Sequence, residues 1–210
     1  SVDFANRGRN SASRIGLNGQ ERLLVGGSTH RGEEPFLLNA LHAVRRSHPT
    51  ARLVLAPRHL ERVGEVEGLI RQASLRGARL STTSAAATWD VGIVDTFGEL
   101  SRYYALATVV FIGGSLIAHG GQNPLEAAGL GKPILFGPFM HNFAEIAWQL
   151  TTVHAARQLR DGTQVTAAVE ELLADPTEAL AMGRRAQELT ERSQGATQRT
   201  LDALKPLLLQ

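Results

Sequence analysis

Glycine and polar residues that could bind a phosphorylated ligand follow five short apolar runs of this sequence. Residues 53–56 are followed by Pro57, Arg58 and His59, and the planar guanidinium of an arginine can donate to two phosphate oxygens at once. Arg58 is therefore a candidate phosphate ligand, although an arginine in a loop is usually just solvated. His59 could be a ligand or a base, but an isolated loop histidine more commonly has a structural role.

The segment after the fourth apolar run could bind an anion through its main chain. Gly98, Glu99 and Leu100 lie where a loop turns into a predicted helix. Their amides would point outward, with the positive end of the helix dipole behind them. An equally good explanation of the segment is that Asp95 or Thr96 caps this helix.

The segment with the most candidate binding residues follows the apolar residues 109–112. Its candidate binding residues are Gly113, Gly114, Ser115, Gly121, Gln122, Asn123, Pro124, Leu125 and Glu126. The glycines let the main chain approach a ligand closely. Asn123, Pro124 and Glu126 also match a capping box, in which Glu126 would bond back to the cap amide. Alternatively, the Glu126 carboxylate accepts hydrogen bonds from ribose hydroxyls, and its several acceptor positions leave both uses open.

Two further loops add polar groups to the candidate site. Ser28, Thr29 and His30 follow the apolar residues 23–25, and Asn142 follows residues 133–136. An ordinary loop with a capping hydroxyl explains the first of these equally well. Its glycines do not form the GxGxxG pattern, so the sequence gives no support to a dinucleotide cofactor. Taken together, the loops indicate a phosphorylated or nucleotide ligand.

The elements that must position these loops are short buried strands alternating with helices. This alternation predicts an α/β fold, a Rossmann-like doubly wound parallel sheet whose ligands bind beyond the carboxyl ends of the strands. The predicted strands are residues 23–25, 53–56, 79–82, 91–94, 109–112 and 133–136. The remainder is predicted to be mostly helical, with helices at residues 142–150, 165–174, 176–193 and 196–209. Residues 1–20 show no periodicity and are predicted to form a tail or linker before a domain of residues 21–195.

Composition excludes several classes of protein. The 210 residues are 43% hydrophobic and 20% charged, which fits a folded domain and not a disordered chain. The net charge of +2 gives no indication of a nucleic-acid partner. Because the chain has no cysteine, thiolate catalysis and cysteine-based zinc sites are excluded.

The ordered motifs resemble those of a known enzyme family. The segments FIGGSL (111–116), GGQNPLEA (120–127), KPILFGP (132–138) and NFAE (142–145) look like those of the 3-deoxy-D-manno-octulosonic acid (Kdo) transferases of lipopolysaccharide synthesis. The segments STH (28–30), PRH (57–59) and DTFGEL (95–100) occur in the expected order. The resemblance runs from about residue 22 to residue 150, and the helical tail adds little to it.

The resemblance implies the donor-binding, C-terminal half of a GT-B glycosyltransferase that uses CMP-Kdo as donor and a lipid A precursor as acceptor. It implies CMP contacts from Pro57, Arg58, Gly98, Glu99, Leu100, Asn123, Pro124, Leu125 and Glu126. Gln122 departs from the family, which usually has His there. No metal is expected in the mechanism. The general base and acceptor site are expected in an N-terminal half, so no catalytic residue is assigned to this chain.

The same resemblance sets expectations for the surroundings of the protein. The intact enzyme is expected at the inner face of the inner membrane of a Gram-negative bacterium. Residues 1–4 resemble the end of an inter-domain linker. The last helix, residues 196–210, would pack towards the N-terminal half, and uncovered Leu201, Leu204 and Leu208 would favour self-association. The alternatives are another GT-B nucleotide-sugar transferase or epimerase, or a nucleotide-binding module without catalysis.

Overall fold

The computed structural model describes residues 13–208, with side chains described as far as residue 193. Seven parallel strands form one sheet in the order β3-β4-β2-β1-β5-β6-β7. The strands are β1 (Leu23–Thr29), β2 (Arg52–Pro57), β3 (Gly77–Arg79), β4 (Val91–Ile93), β5 (Val109–Ile112), β6 (Ile134–Phe136) and β7 (Ala156–Gln158). The helices are α1 (Glu34–Val44), α2 (Val63–Gln72), α3 (Leu100–Leu106), α4 (Leu125–Gly129), α5 (Ala144–Thr152), α6 (Val165–Ala174) and α7 (Pro176–Leu208).

Helices cover both faces of the sheet, which confirms the doubly wound α/β fold predicted from the sequence. Leu53 and Leu55 of β2 pack on the side of α1, α2 and α6. Val54 and Ala56 of the same strand pack on the side of α3, α4 and α5. Successive strand side chains point to opposite faces, so a strand buried on both sides must be apolar throughout. This explains why the central strands are continuous apolar runs.

The structure adds one strand to those predicted and joins two predicted helices. β7 pairs with β6 at the edge of the sheet, where Leu135 is opposite Arg157. Its polar Arg157 and Gln158 gave no apolar run from which the sequence could predict a strand. The last helices, predicted at residues 176–193 and 196–209, are one continuous helix, α7, over residues 176–208.

Part of the predicted N-terminal tail belongs to the core. Ile15 is 1% exposed and Leu17 is buried beside it. The indole Nε1 of Trp89 donates a hydrogen bond to the Ile15 carbonyl oxygen at 2.8 Å. The packed region therefore begins before residue 20, because two apolar side chains in a polar segment are enough to fasten it to the sheet.

Some expectations fall outside the described residues. Residues 1–4, with their resemblance to a linker, belong to the part that the structure does not describe. The same holds for the side chains of Leu201, Leu204 and Leu208, on which the expected self-association depends. Of the helices within residues 13–208, none is long and apolar enough to span a bilayer.

Candidate functional site

The five predicted loops meet at the carboxyl-terminal end of the sheet, because all strands are parallel and their carboxyl ends lie together. Main-chain hydrogen bonds connect the loops. The Arg58 amide donates to the Thr29 carbonyl at 2.9 Å, joining the loops after β2 and β1. The Asn142 amide donates to the Gly120 carbonyl at 3.0 Å, joining the loops after β6 and β5. The candidate residues therefore lie along one continuous rim.

A buried carboxylate holds two of these loops together. Glu33, at the start of α1, is fully buried. Its Oε2 accepts hydrogen bonds from the amides of His30 at 2.8 Å and Gly114 at 2.7 Å. Its Oε1 accepts from the amides of Ser115 and Leu116, both at 3.0 Å. Glu33 thus fixes the start of the glycine-rich loop after β5 against the loop after β1.

Two opposing effects act on the charge of Glu33. Burial raises the pKa of its carboxyl, while the four amide hydrogen bonds oppose that rise. Because each oxygen already accepts two N–H groups, the geometry matches the ionised form. A negative charge without a cationic partner is therefore held by main-chain dipoles alone within this network.

The loop after β5 approaches the loop after β1 so closely that it requires glycine. A Cβ on Gly113 would lie 2.2 Å from the Ser28 carbonyl oxygen. Gly114 has a φ of +67°, in the left-handed region that favours glycine. Ser28 also lies in that region, with a φ of +53°. The two loops are therefore shaped by each other, and the amides of Gly114, Ser115 and Leu116 are turned inward to Glu33 as a result.

Arg58 is available for a ligand. Its side chain is exposed and forms no ion pair or hydrogen bond with the parts of the chain that the structure describes, whereas its amide is fixed to Thr29. Pro57 is buried at the end of β2 and directs the following residue outward. His59 is exposed, with Nδ1 3.7 Å from an oxygen of Glu61.

The loop after β4 is held together by side chains that leave the helix end open. Asp95 accepts hydrogen bonds from the amide and hydroxyl of Ser81, and the Thr96 hydroxyl donates to Glu99 at 2.7 Å. The alternative that Asp95 or Thr96 caps α3 is therefore wrong. Gly98 is exposed with a φ of +76°, and the helix begins two residues later at Leu100.

Around α4 the capping pattern is only partly formed. The Asn123 Oδ1 accepts from the Leu125 amide at 3.0 Å. Glu126 is exposed and makes no hydrogen bond to the described part of the chain, so the proposed bond to the cap amide is wrong. Pro124 is buried and Gln122 half-buried. The Glu126 carboxylate is consequently free for a ligand.

Ser115 differs from the other candidates because its hydroxyl is already used. It donates to the Ile112 carbonyl at 2.6 Å and accepts from the Gly137 amide at 2.8 Å. Ser115 is fully buried. Its position fits a role in holding the β5 and β6 loops together rather than direct contact with a ligand. Gly121 and Asn142 lie at the same junction, where the Asn142 side-chain amide donates to the His119 carbonyl at 3.2 Å.

Three histidines gather beside this junction. The ring of His30 lies 4.0 Å from that of His119 and 5.8 Å from that of His59, measured between centroids. Burial, followed by the neighbouring His119, lowers the pKa of His30. Among the described residues, no three potential ligands are grouped as a metal site would require.

Sequence reasoning placed Glu33 and His119 in the loops of the rim but assigned no role to either residue. The position of Glu33 directly before a predicted helix and three residues after His30 is a weak signal for an acid that binds main-chain amides. His119 lies between two glycine pairs, but its contact with His30 joins residues far apart in the sequence. No local pattern could have revealed that contact.

Comparison with known proteins gives a consistent result. No protein-family model matches the chain. It is 34% identical over 186 residues to the 3-deoxy-D-manno-octulosonic acid transferase of Haemophilus influenzae, a match covering 88% of this chain and 44% of that protein. It is 37% identical over 186 residues to the enzyme of the same name from Bordetella pertussis, covering 86% and 44% respectively. The chain thus spans less than half the length of these relatives.

A solved structure matches the chain over nearly its whole length. The C-terminal CMP-Kdo binding domain of WaaA from Acinetobacter baumannii superposes with a TM-score of 0.81 at 30% sequence identity. The superposition covers 90% of this chain and 98% of that domain. The similarity therefore extends across the sheet and the rim described above.

Proposed function

The chain belongs to the Kdo transferase family, as its C-terminal domain, and on that premise we propose that it binds the donor for transfer of Kdo from CMP-Kdo to a lipid A precursor. Its fold is one Rossmann-like half of the GT-B glycosyltransferase architecture. Because the match covers 44% of the first curated relatives, the activity of the whole enzyme is part of this proposal.

The CMP part of the donor binds across the loops after β2, β4 and β5 in this proposal. Arg58 contacts the phosphate, and the amides of Gly98, Glu99 and Leu100 contribute the positive end of α3. The loop that ends at Asn123, Pro124 and Leu125 borders the ribose. Glu126 accepts hydrogen bonds from its hydroxyls. Ser28, Thr29, His59, Gly113, Gly114, Gly121, Gln122 and Asn142 border the donor more distantly.

The single observation that carries the proposal is the free Arg58 guanidinium on a rim whose neighbouring loops are fixed in place. An exposed arginine without an ion pair in the described chain can form two charge-assisted hydrogen bonds with a phosphate. The loop beside it is preorganised, because the Arg58 amide is bonded to Thr29 and Glu33 fixes the next loop. A preorganised site loses less conformational entropy when a ligand binds.

The transfer itself balances as a substitution at the anomeric carbon of Kdo. A hydroxyl oxygen of the acceptor forms the new bond, and the bond from that carbon to the phosphate oxygen of CMP breaks. CMP leaves with the electron pair, and the hydroxyl proton goes to a general base that we place in the N-terminal half. Arg58 and the amides before α3 stabilise the charge that develops on the departing phosphate.

The proposal also covers how the donor domain is joined to the rest of the enzyme and where the enzyme acts. A linker precedes the donor domain, and it ends before Ile15 because that residue is part of the core. The last part of α7 packs towards the N-terminal half. The intact enzyme acts as a peripheral protein at the inner face of the inner membrane, where the lipid A precursor is its acceptor.

The direct test is calorimetric titration of the 210-residue chain with CMP and, as a control, with UMP. We expect CMP to bind and UMP to bind more weakly. Equal affinity for the two would favour a related GT-B enzyme with another nucleotide sugar. Binding to neither would contradict the proposed function.

A second experiment separates a donor domain from a nucleotide-binding module without catalysis. The chain is incubated with CMP-Kdo and a lipid A precursor, with and without an N-terminal half from a related enzyme. We expect transfer only with both halves, because alignment of donor and acceptor supplies about 7–11 kcal/mol in well-oriented reactions. No transfer with both halves, despite CMP binding, would support the non-catalytic module.

A further inference from the structure

His30 is a buried side chain whose ring has a fixed orientation. It is 7% exposed and lies directly after β1. Its Nδ1 is 3.1 Å from the carbonyl oxygen of Ser28, which can only accept a hydrogen bond. Nδ1 therefore carries the proton, and Nε2 of the neutral ring is an acceptor. Glu33 fixes the backbone beneath the ring through the His30 amide.

The other ring nitrogen has no partner. Nε2 of His30 is buried and forms no hydrogen bond within the described chain. A buried acceptor without a donor costs free energy, and most such atoms in folded proteins are paired. A structural role explains the bond from Nδ1 to Ser28, but it does not explain Nε2. The unpaired atom therefore points to a donor that comes from a ligand.

The neighbouring side chains can admit such a ligand. His119 lies against His30 with the ring planes tilted by 40°, is exposed, and makes no hydrogen bond through its side chain to the described side chains or main chain. Its ring can therefore turn away without losing a polar contact. Gly114 lies against both rings: a Cβ there would lie 3.3 Å from atoms of His30 and His119, so a larger residue at this position would press on the two rings.

We propose that Nε2 of His30 accepts a hydrogen bond from a hydroxyl group of the donor sugar, so that His30 and His119 form a sugar subsite beside the nucleotide. This inference rests on the proposed function, because it takes the ligand to be a nucleotide-linked sugar. The subsite is specific for a hydroxyl group, because a neutral imidazole nitrogen accepts a proton donor and offers nothing to a carboxylate.

The charges around His30 favour the neutral ring. His119 from the β5 loop, His59 from the β2 loop and Arg62 all contribute to lowering the pKa of His30, after the larger effect of burial. The Ser28 carbonyl opposes them. His30 is therefore neutral at pH 7.5, and its Nε2 gains a proton only as the pH falls below the ordinary histidine range. A protonated Nε2 would no longer accept from a hydroxyl.

Two substitutions of His30 test whether the hydrogen-bond acceptor at the position of Nε2 is needed. His30→Asn keeps a side-chain amide that can donate to Ser28 but has no atom at the position of Nε2. His30→Gln can present an acceptor oxygen near that position. His48→Asn is the control, since His48 lies before β2 at the opposite edge of the sheet. Affinities for CMP and for freshly prepared CMP-Kdo are measured by stopped-flow mixing, and their ratio reports the contribution of the sugar.

We expect His30→Asn to reduce the CMP-Kdo to CMP affinity ratio about 5- to 10-fold, with CMP affinity changed less than twofold. His30→Gln should recover part of the ratio, and His48→Asn should not change it. In the unsubstituted chain the ratio should fall only once the pH drops below the ordinary histidine pKa of about 6.5, while in His30→Asn it should stay constant.

Two results would overturn this assignment while leaving the proposed function intact. One is an unchanged ratio in His30→Asn. The other is a ratio that rises as the pH falls, because a protonated His30 would then be binding the sugar carboxylate. Failure of the unsubstituted chain to bind CMP would instead contradict the proposed function, and the sugar subsite with it.

Discussion

The carboxylate of Glu33 accepts a hydrogen bond at 2.7 Å from the amide of Gly114, a residue 81 positions further along the chain. With the bonds from the amides of Ser115 and Leu116, this contact determines the path of the loop after β5. The orientation of that loop therefore depends on a buried carboxylate just before α1.

Replacing Glu33 with Gln should destabilise the fold. In the unsubstituted protein each carboxylate oxygen of Glu33 accepts from two main-chain N–H groups. In the variant an NH₂ group takes the place of one oxygen and cannot accept, so two buried N–H groups lose their partner. We expect the free energy of unfolding to fall by about 2–4 kcal/mol, measured by urea denaturation. Glu61→Gln, at an exposed carboxyl, is the control and should change it by less than about 0.5 kcal/mol. Equal effects of the two substitutions would contradict the role of Glu33.

Arg58→Ala should weaken CMP binding without affecting the fold. The guanidinium is exposed and without a partner in the described residues, so its removal costs no internal contact. A charge-assisted contact to phosphate should contribute about 1.5–3 kcal/mol of binding free energy. Calorimetric titration with CMP tests this. Arg46→Ala, an exposed arginine just after α1 at the other edge of the sheet, should bind CMP normally. An unchanged dissociation constant for Arg58→Ala would remove Arg58 from the site.

Glu126→Gln should show whether the Glu126 carboxylate contacts the ribose of CMP or caps α4. Since Glu126 makes no hydrogen bond to the cap, the free energy of unfolding should change by less than about 0.5 kcal/mol. CMP should bind more weakly, and 2′-deoxy-CMP should lose its disadvantage relative to CMP. Asn123→Ala, in contrast, should lower the free energy of unfolding by about 1 kcal/mol, because the Asn123 side chain accepts a hydrogen bond from the Leu125 amide. Unchanged CMP affinity in Glu126→Gln would show that the carboxylate does not contact the ribose.

Asp90 should make the stability of the protein depend on pH in the acid range. Hydrogen bonds from the Arg76 guanidinium, with further help from Arg45, hold the pKa of this buried carboxyl well below its ordinary value. A lowered pKa in the folded state means that the stabilisation is complete above the unfolded value of about 3.9 and is lost as the pH falls below it.

Asp90→Asn should lower the free energy of unfolding by about 2–3 kcal/mol at pH 7, less than for a fully buried pair because Arg76 stays in contact with water. Its stability should also fall less steeply below pH 4. Urea denaturation at several pH values tests both effects. Glu67→Gln, which removes an exposed pair with Arg79, should cost no more than about 1 kcal/mol. If the free energy of unfolding falls equally steeply with pH in Asp90→Asn and in the unsubstituted chain, the Asp90 carboxyl is not the cause of the acid dependence.

The sequence by itself determined the fold class and the end of the sheet where the candidate loops meet. Runs such as those in β2 and β5 are apolar throughout because both faces are covered. Helices between them make the strands parallel, so the residues after each strand must meet at one edge. The motifs in those loops also sufficed to identify the family.

Tertiary structure alone decided which polar groups in those loops meet. Three contacts join residues distant in sequence: the bond from the Gly114 amide to Glu33, the packing of the His119 ring against His30, and the bond from the Trp89 indole to the Ile15 carbonyl. Such contacts depend on how helices and strands pack, whereas local patterns report only periodicity and capping. For this reason the sequence predicted a bond from Glu126 to its cap, while the structure leaves that carboxylate free among the described residues and shows instead that the buried Glu33 joins two loops of the rim.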